Sequence, residues 1–120
     1  MLNRVWDVAA LVHAVADTLQ ARYGRVGVRG EIASLTRAAS GHLYFTLKDG
    51  QGQVSLRCVM FRRAASQLRA LPSEGFMVEV SGQLSVYEAR GELQLVVDDL
   101  RQAGAGALYE QFLRLKAQLT

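Results

Sequence analysis

At 120 residues, half of them hydrophobic, the chain is long enough for one domain with one core and needs neither metal nor disulfide to fold. A single cysteine excludes an internal disulfide, one cysteine with two histidines makes a poor zinc set, and no stretch approaches the roughly 18 apolar residues of a membrane span. The net charge is +3, carried by 12 arginines and two lysines; guanidinium forks onto phosphates and stacks on planar rings, although an arginine excess also fits GC-rich coding.

Residues 1–22 lack the basic start and continuous apolar run of a signal peptide. With Cys58 inside an apolar run, this points to a reducing compartment, the cytoplasm, and to a buried thiol. Asp7 reads as an N-cap and Gly24 as the residue just past a helix end. Between them Leu11, Val15 and Leu19 recur every four residues, so a helix is expected over 8–23, its apolar side covering an open part of the core. A first strand follows, with Val26, Val28 and Ile32 alternating against Arg25, Arg29 and Glu31. Gly27 and Gly30 inside it suggest strong coiling or a bulge. Residues 35–41 read as a loop containing Arg37.

The second strand is the clearest element. Leu43, Phe45 and Leu47 share one side, and His42, Tyr44, Thr46 and Lys48 the other, the period of a half-buried strand. Residues 49–52 form a turn. In the third strand, 54–61, Val54, Leu56, Cys58 and Met60 face in while Ser55, Arg57 and Val59 face out; Phe61 turns in at the strand end or stays with the outer set. A helix over 62–71 sets Ala64, Ala65, Leu68 and Leu71 inward and stops at Pro72. The fourth strand, 76–87, bends at Gly82. A hairpin at 88–91 leads to the fifth, with Leu93, Leu95 and Val97 inward and Gln94 outward. Gly104 and Gly106 mark a linker, and Leu108, Phe112, Leu115 and Leu119 a last helix.

The order is α-β1-β2-β3-α-β4-β5-α: mainly β with flanking helices. Five coiled strands with one internal helix predict a five-stranded OB-fold barrel over 1–103, followed by a linker and helix over 104–120 that lead toward further chain. An SH3-like barrel and a mixed α+β sheet are the alternatives. The short connections leave no room for the crossovers of a parallel Rossmann-type sheet.

OB barrels bind nucleic acid across strands two and three, between the 1–2 and 4–5 loops. That frame places Arg37, Ser40 and His42 on one rim and Tyr87, Glu88 and Arg90 on the other. Tyr44, Lys48, Arg57 and Phe61 lie on the platform, Arg62 and Arg63 beside Phe61, and Arg29 and Gln94 at the border. Rings that stack on bases and cations that meet phosphates suit single-strand binding. An ordinary solvated face, a Tyr44 packed on a helix, a Tyr87 covering the barrel end and a His42 hydrogen-bonded in its loop are the plain alternatives. Catalytic sets are poor. Ser40 and His42 have no oriented acid, Asp98 and Asp99 diverge on a strand, and Gly50 and Gly52 belong to a turn without a phosphate-loop lysine. No catalytic residue, metal or cofactor is expected in this stretch.

Several phrases carry a family resemblance. Gly30-Glu31-Ile32, Ser40-Gly41-His42-Leu43-Tyr44-Phe45-Thr46-Leu47-Lys48-Asp49, Cys58-Val59-Met60-Phe61-Arg62 and Ser85-Val86-Tyr87-Glu88-Ala89-Arg90-Gly91-Glu92-Leu93-Gln94-Leu95 occur in order. Val5-Trp6-Asp7-Val8 precedes them; Gly104-Ala105-Gly106-Ala107-Leu108-Tyr109 and Leu115-Lys116-Ala117-Gln118-Leu119 follow. Together they resemble the N-terminal domain of the bacterial exodeoxyribonuclease VII large subunit over nearly the whole chain. The resemblance implies an OB-fold that binds single-stranded DNA and presents it to a separate catalytic domain, which hydrolyses phosphodiesters from both ends into oligonucleotides. It also implies a long helical region that recruits the small subunit. The chain departs from the family at Ala33-Ser34, where Ser-Asn is common, at Ala9-Ala10-Leu11-Val12, where Ser-Glu-Leu-Asn is usual, and at Gly27, where a bulky residue is usual. From the residues alone, an RNA-binding OB module and a protein-assembly domain remain alternatives.

Overall fold

The computed structural model describes residues 4–50 and 53–103. Helix α1 (Val8–Tyr23) leads into strands β1 (Arg25–Arg37), β2 (Leu43–Lys48) and β3 (Ser55–Met60). One helical turn, α2 (Arg62–Ala65), precedes β4 (Met77–Tyr87) and β5 (Glu92–Gln102). The strands close into a barrel in the order β1-β2-β3-β5-β4. All pairs are antiparallel except β3 with β5, which run parallel. This is the expected five-stranded OB-fold barrel; the expected last helix and the boundary at 104 lie outside the described residues.

β1 closes the barrel because it is long enough to serve two neighbours. Its first half pairs with β4 and its second half with β2. The register slips between Ile32 and Ser34, which makes Ala33 a bulge. A bulge adds one residue and reverses the inward parity, so Ile32 and then Leu35 both turn toward the core. The alternation predicts a loop from residue 35, but the strand runs on to Arg37, which pairs with Leu43. Nor does the bulge fall on a glycine. Gly30 is instead a point of close approach, where a Cβ would lie 3.0 Å from the Lys48 carbonyl oxygen and 3.2 Å from Leu47 Cβ.

β2 follows its alternation: Leu43, Phe45 and Leu47 are buried. In β3, Cys58 and Met60 join them, but Val54 precedes the strand and is exposed. Leu93 is likewise exposed, at the hairpin end of β5, while Leu95 and Val97 are core. Both corrections have one cause: apolar residues at strand ends lie beyond the reach of the facing staves. Phe61, too, stays outside.

The helix expected over 62–71 is a single turn. Bonds from Gln67 N–H to Ala64 O and from Leu68 N–H to Ala65 O tighten it to three-residue spacing, a common way for a helix to end. Ala64, Ala65 and Leu68 still pack on the core, whereas Leu71 is exposed. Along α1 no residue is buried, and Leu11 and Val15 are open to solvent. The helix therefore does not cover the core. Closure of the barrel through the β1–β4 and β3–β5 seams leaves it beside β4, against the outer wall.

Burial pushes the Cys58 thiol up to about 12. Thiolate is the reactive form, so Cys58 should resist a disulfide reagent at pH 8 in native buffer and react at once in denaturant. Equal rates in the two conditions would contradict its place in the core.

Candidate nucleic-acid interface

The barrel register lays two rows of side chains across its outer face. In one, Thr36 of β1 lies opposite Tyr44 of β2, which lies opposite Val59 of β3. In the other, Ser34 lies opposite Thr46, Thr46 opposite Arg57, and Arg57 beside Gln94 of β5. The β4–β5 hairpin stands over the end of these rows and adds Tyr87 and Arg90. Together they line a cleft of about 440 Å³. Its floor includes Val59, 4% exposed, and its walls hold Tyr44 at 44% and Tyr87 at 49%. A tyrosine ring half open on an apolar floor presents a face on which a planar base can stack.

The cleft's charges are unequal. Arg57 Nη1 donates to Glu92 Oε2 at 2.8 Å, so this guanidinium is already partly neutralised. Arg90 donates its backbone N–H to Tyr87 O. Its guanidinium has no ion-pair partner among the described residues.

Beside Tyr44 an aromatic strip continues toward α2. The His42 ring stands edge-on to Tyr44, with centroids 6.5 Å apart, and to Phe61 at 5.3 Å. His42 Nδ1 accepts the Arg62 backbone N–H at 2.8 Å. That bond leaves the proton of the neutral ring on Nε2 and ties the start of β2 to the start of α2. Arg62 and Arg63 begin that turn, outside the cleft.

Other expected cations lie elsewhere. Arg29 forks onto Glu79 on the β1–β4 side at 2.8 and 3.2 Å, with Arg101 3.5 Å from the same carboxylate; the Arg29 hydrogen bonds hold the Glu79 carboxyl below its ordinary range. Lys48 pairs with Glu31 at 3.1 Å at the far end of β2. Arg37 is exposed at the end of β1 and does not line the cleft. Glu88 meets His13 of α1 at 2.9 Å. Asp98 is held by Arg25, whose hydrogen bonds lower its carboxyl, and among the described residues no three acids, histidines or cysteines gather for a metal.

Thus the structure brings Tyr44, Arg57, Tyr87, Arg90 and Gln94 into one cleft, sets His42 and Phe61 beside it, and leaves Arg29, Arg37 and Lys48 out. Ser34, Thr36, Thr46, Val59, Glu92 and Leu93 also line it. The outward parity of Thr46 was a readable sign. Ser34 and Thr36 were hidden by the bulge, and Glu92 by its sign of charge.

Residues 6–101 match the family model described as OB-fold nucleic acid binding domain. The chain belongs to that family. Over 115 residues it is 59% identical to the exodeoxyribonuclease 7 large subunit of Delftia acidovorans, covering 96% of this OB-fold chain and 25% of the relative. The corresponding protein of Bordetella pertussis is 53% identical over 115 residues, with coverage of 96% and 24%. The chain therefore spans about a quarter of the length of the curated relatives it matches. Among solved structures, the S. pombe Stn1-ten1 complex contains a chain that matches with a TM-score of 0.49 and 22% identity, over 80% of this chain and 73% of that one. Among the described residues no helix is long and apolar enough to cross a membrane.

Proposed function

We propose that this chain is the single-stranded DNA-binding module of an exodeoxyribonuclease VII large subunit, working in the bacterial cytoplasm. The observation that carries the reading is the cleft that joins two half-open tyrosines to Arg57 and Arg90. Stacking on a ring is open to every base, because every base has a π-face, and that suits an enzyme that degrades single strands. The strand held here passes to a catalytic region elsewhere in the same polypeptide, where phosphodiesters are hydrolysed from both ends into oligonucleotides. A helical region of that polypeptide recruits the small subunit.

The test is a titration of the 120-residue chain with oligodeoxynucleotides at several salt concentrations, with matched RNA strands as competitors. DNA binding should weaken steadily with salt, as displaced counterions require. Arg90→Ala should lower affinity and reduce the slope of log K against log salt by about one, because that guanidinium is free to meet a phosphate. Oligonucleotides should remain intact during the titration. Absence of binding at low salt, or an RNA strand that outcompetes its DNA counterpart, would remove this reading; cleavage by the chain itself would move the chemistry into it.

A further inference from the structure

Among the described residues that line the cleft, Glu92 is the one acid. A groove that served phosphates alone would gain nothing from it, since a carboxylate repels phosphate and screens the arginine it touches. Glu92 instead stands beside Tyr87 in the β4–β5 register and takes one N–H of Arg57, itself aligned with Thr46 and Gln94. The two side chains remain accessible, at 60% for Arg57 and 39% for Glu92. Glu92 Oε1 and the remaining guanidinium N–H groups have no partner among the described residues. An acceptor and a set of donors therefore lie side by side, next to a ring on which a base can stack.

We propose that Arg57 and Glu92 together grip the Watson–Crick edge of an unpaired base, and that guanine is the base they favour. This rests on the single-stranded DNA reading and deepens it. Guanine alone presents two adjacent N–H donors, N1 and N2, next to an acceptor, O6. The carboxylate accepts from both N–H groups while Arg57 donates to O6. Thymine offers one N–H between two carbonyls that face the carboxylate unfavourably. Adenine offers one exocyclic amine beside one ring acceptor, and cytosine one amine beside two acceptors, so each gives the carboxylate a single N–H donor where guanine gives two. In a duplex the same edge is consumed by the opposite strand, so the pair also selects single strands.

The experiment compares four strands: a short all-thymine oligodeoxynucleotide, and the same host carrying one central guanine, hypoxanthine or abasic site. In the wild type, guanine should tighten binding by about tenfold over thymine, the discrimination typical of a good bidentate base contact. Hypoxanthine, which lacks the N2 amine, should recover only part of that gain, and the abasic strand should bind weakest. Glu92→Ala should abolish the guanine advantage, so that the guanine and all-thymine strands bind with equal affinity. Glu92→Gln, which keeps the shape but offers one acceptor oxygen, should lose most of the advantage. Equal affinity for guanine and thymine hosts in the wild type, or an advantage that survives both substitutions, overturns the proposal and leaves single-strand binding standing. Failure to bind any of the strands removes both.

Discussion

Gly82→Ala is expected to cost the barrel at least about 3 kcal/mol, the upper range for overpacking a filled interior. Gly82 sits where the β4–β5 register shifts, opposite Val97. A methyl there would overlap the Val96 carbonyl oxygen and lie 2.8 Å from its carbon and 2.9 Å from Val97 Cα. These are backbone atoms of the adjacent strand and have no rotamer to escape into. β5 has to move away from β4, and Leu95 and Val97 leave the core with it. A domain of this size holds only about 5–15 kcal/mol in total. Urea unfolding is the check, with Gly27→Ala as the control. At Gly27 the nearest atom to an added methyl is the Val80 carbonyl oxygen, at 3.9 Å, so that variant should fall within about 1 kcal/mol of wild type. If Gly82→Ala unfolds at the wild-type midpoint, the strands do not approach as described.

Tyr44→Ala and Tyr87→Ala should each weaken single-stranded DNA binding by about 1–3 kcal/mol, the measured worth of one base–aromatic stack. The two rings come from different elements, β2 and the β4–β5 hairpin, and meet in one cleft. Neither belongs to the buried core, so the folded state should survive both changes. Tyr44→Phe should keep most of the affinity, because the stacking face is preserved. Arg29→Ala and Lys48→Ala make the contrast. Both cations are paired to acids away from the cleft, so their loss should barely change affinity. An alanine at either tyrosine that binds like wild type, or an Arg29→Ala variant that loses as much as Tyr44→Ala, would mean that strands follow another face. Fluorescence anisotropy with one labelled oligonucleotide reads all five variants.

Local chemistry explains what was legible in advance. Leu43, Phe45 and Leu47 alternate because a half-buried strand must bury every second residue, and the structure buries all three. Gly82 marked a bend in a strand too long to stay straight, and the register shifts there. The C-terminal end of α1 is legible from Gly24, whose N–H bonds Gln20 O just past the last turn. Its role was not legible. A four-residue repeat of Leu and Val looks the same on a helix that covers a core and on one that lies against an outer wall. The second helix is shorter than its periodicity predicts for a related reason: Ala64, Ala65 and Leu68 reach the core from one turn and its tail as readily as from three turns.

The candidate cleft divides in the same way. Period two determines which residues leave the barrel face, and it placed Tyr44, Arg57 and Gln94 on the outside from the sequence alone. The hairpin between β4 and β5 likewise made Tyr87 and Arg90 rim residues. Which charges remain available is a property of strand order. Glu79 reaches Arg29 across a separation of 50 residues, and Glu92 reaches Arg57 across 35. Those pairs exist because β1 lies against β4 and β3 runs parallel to β5. The bulge at Ala33 turned a supposed loop into the strand that carries Ser34 and Thr36 to the cleft. Local side-chain periodicity is written into neighbouring residues, so the five strands and the outward tyrosines can be read from the order of residues alone. Ion pairing depends on atoms brought within a few ångströms by distant pairings, and only the closed barrel decided which arginines stay free and where an acid stands among them.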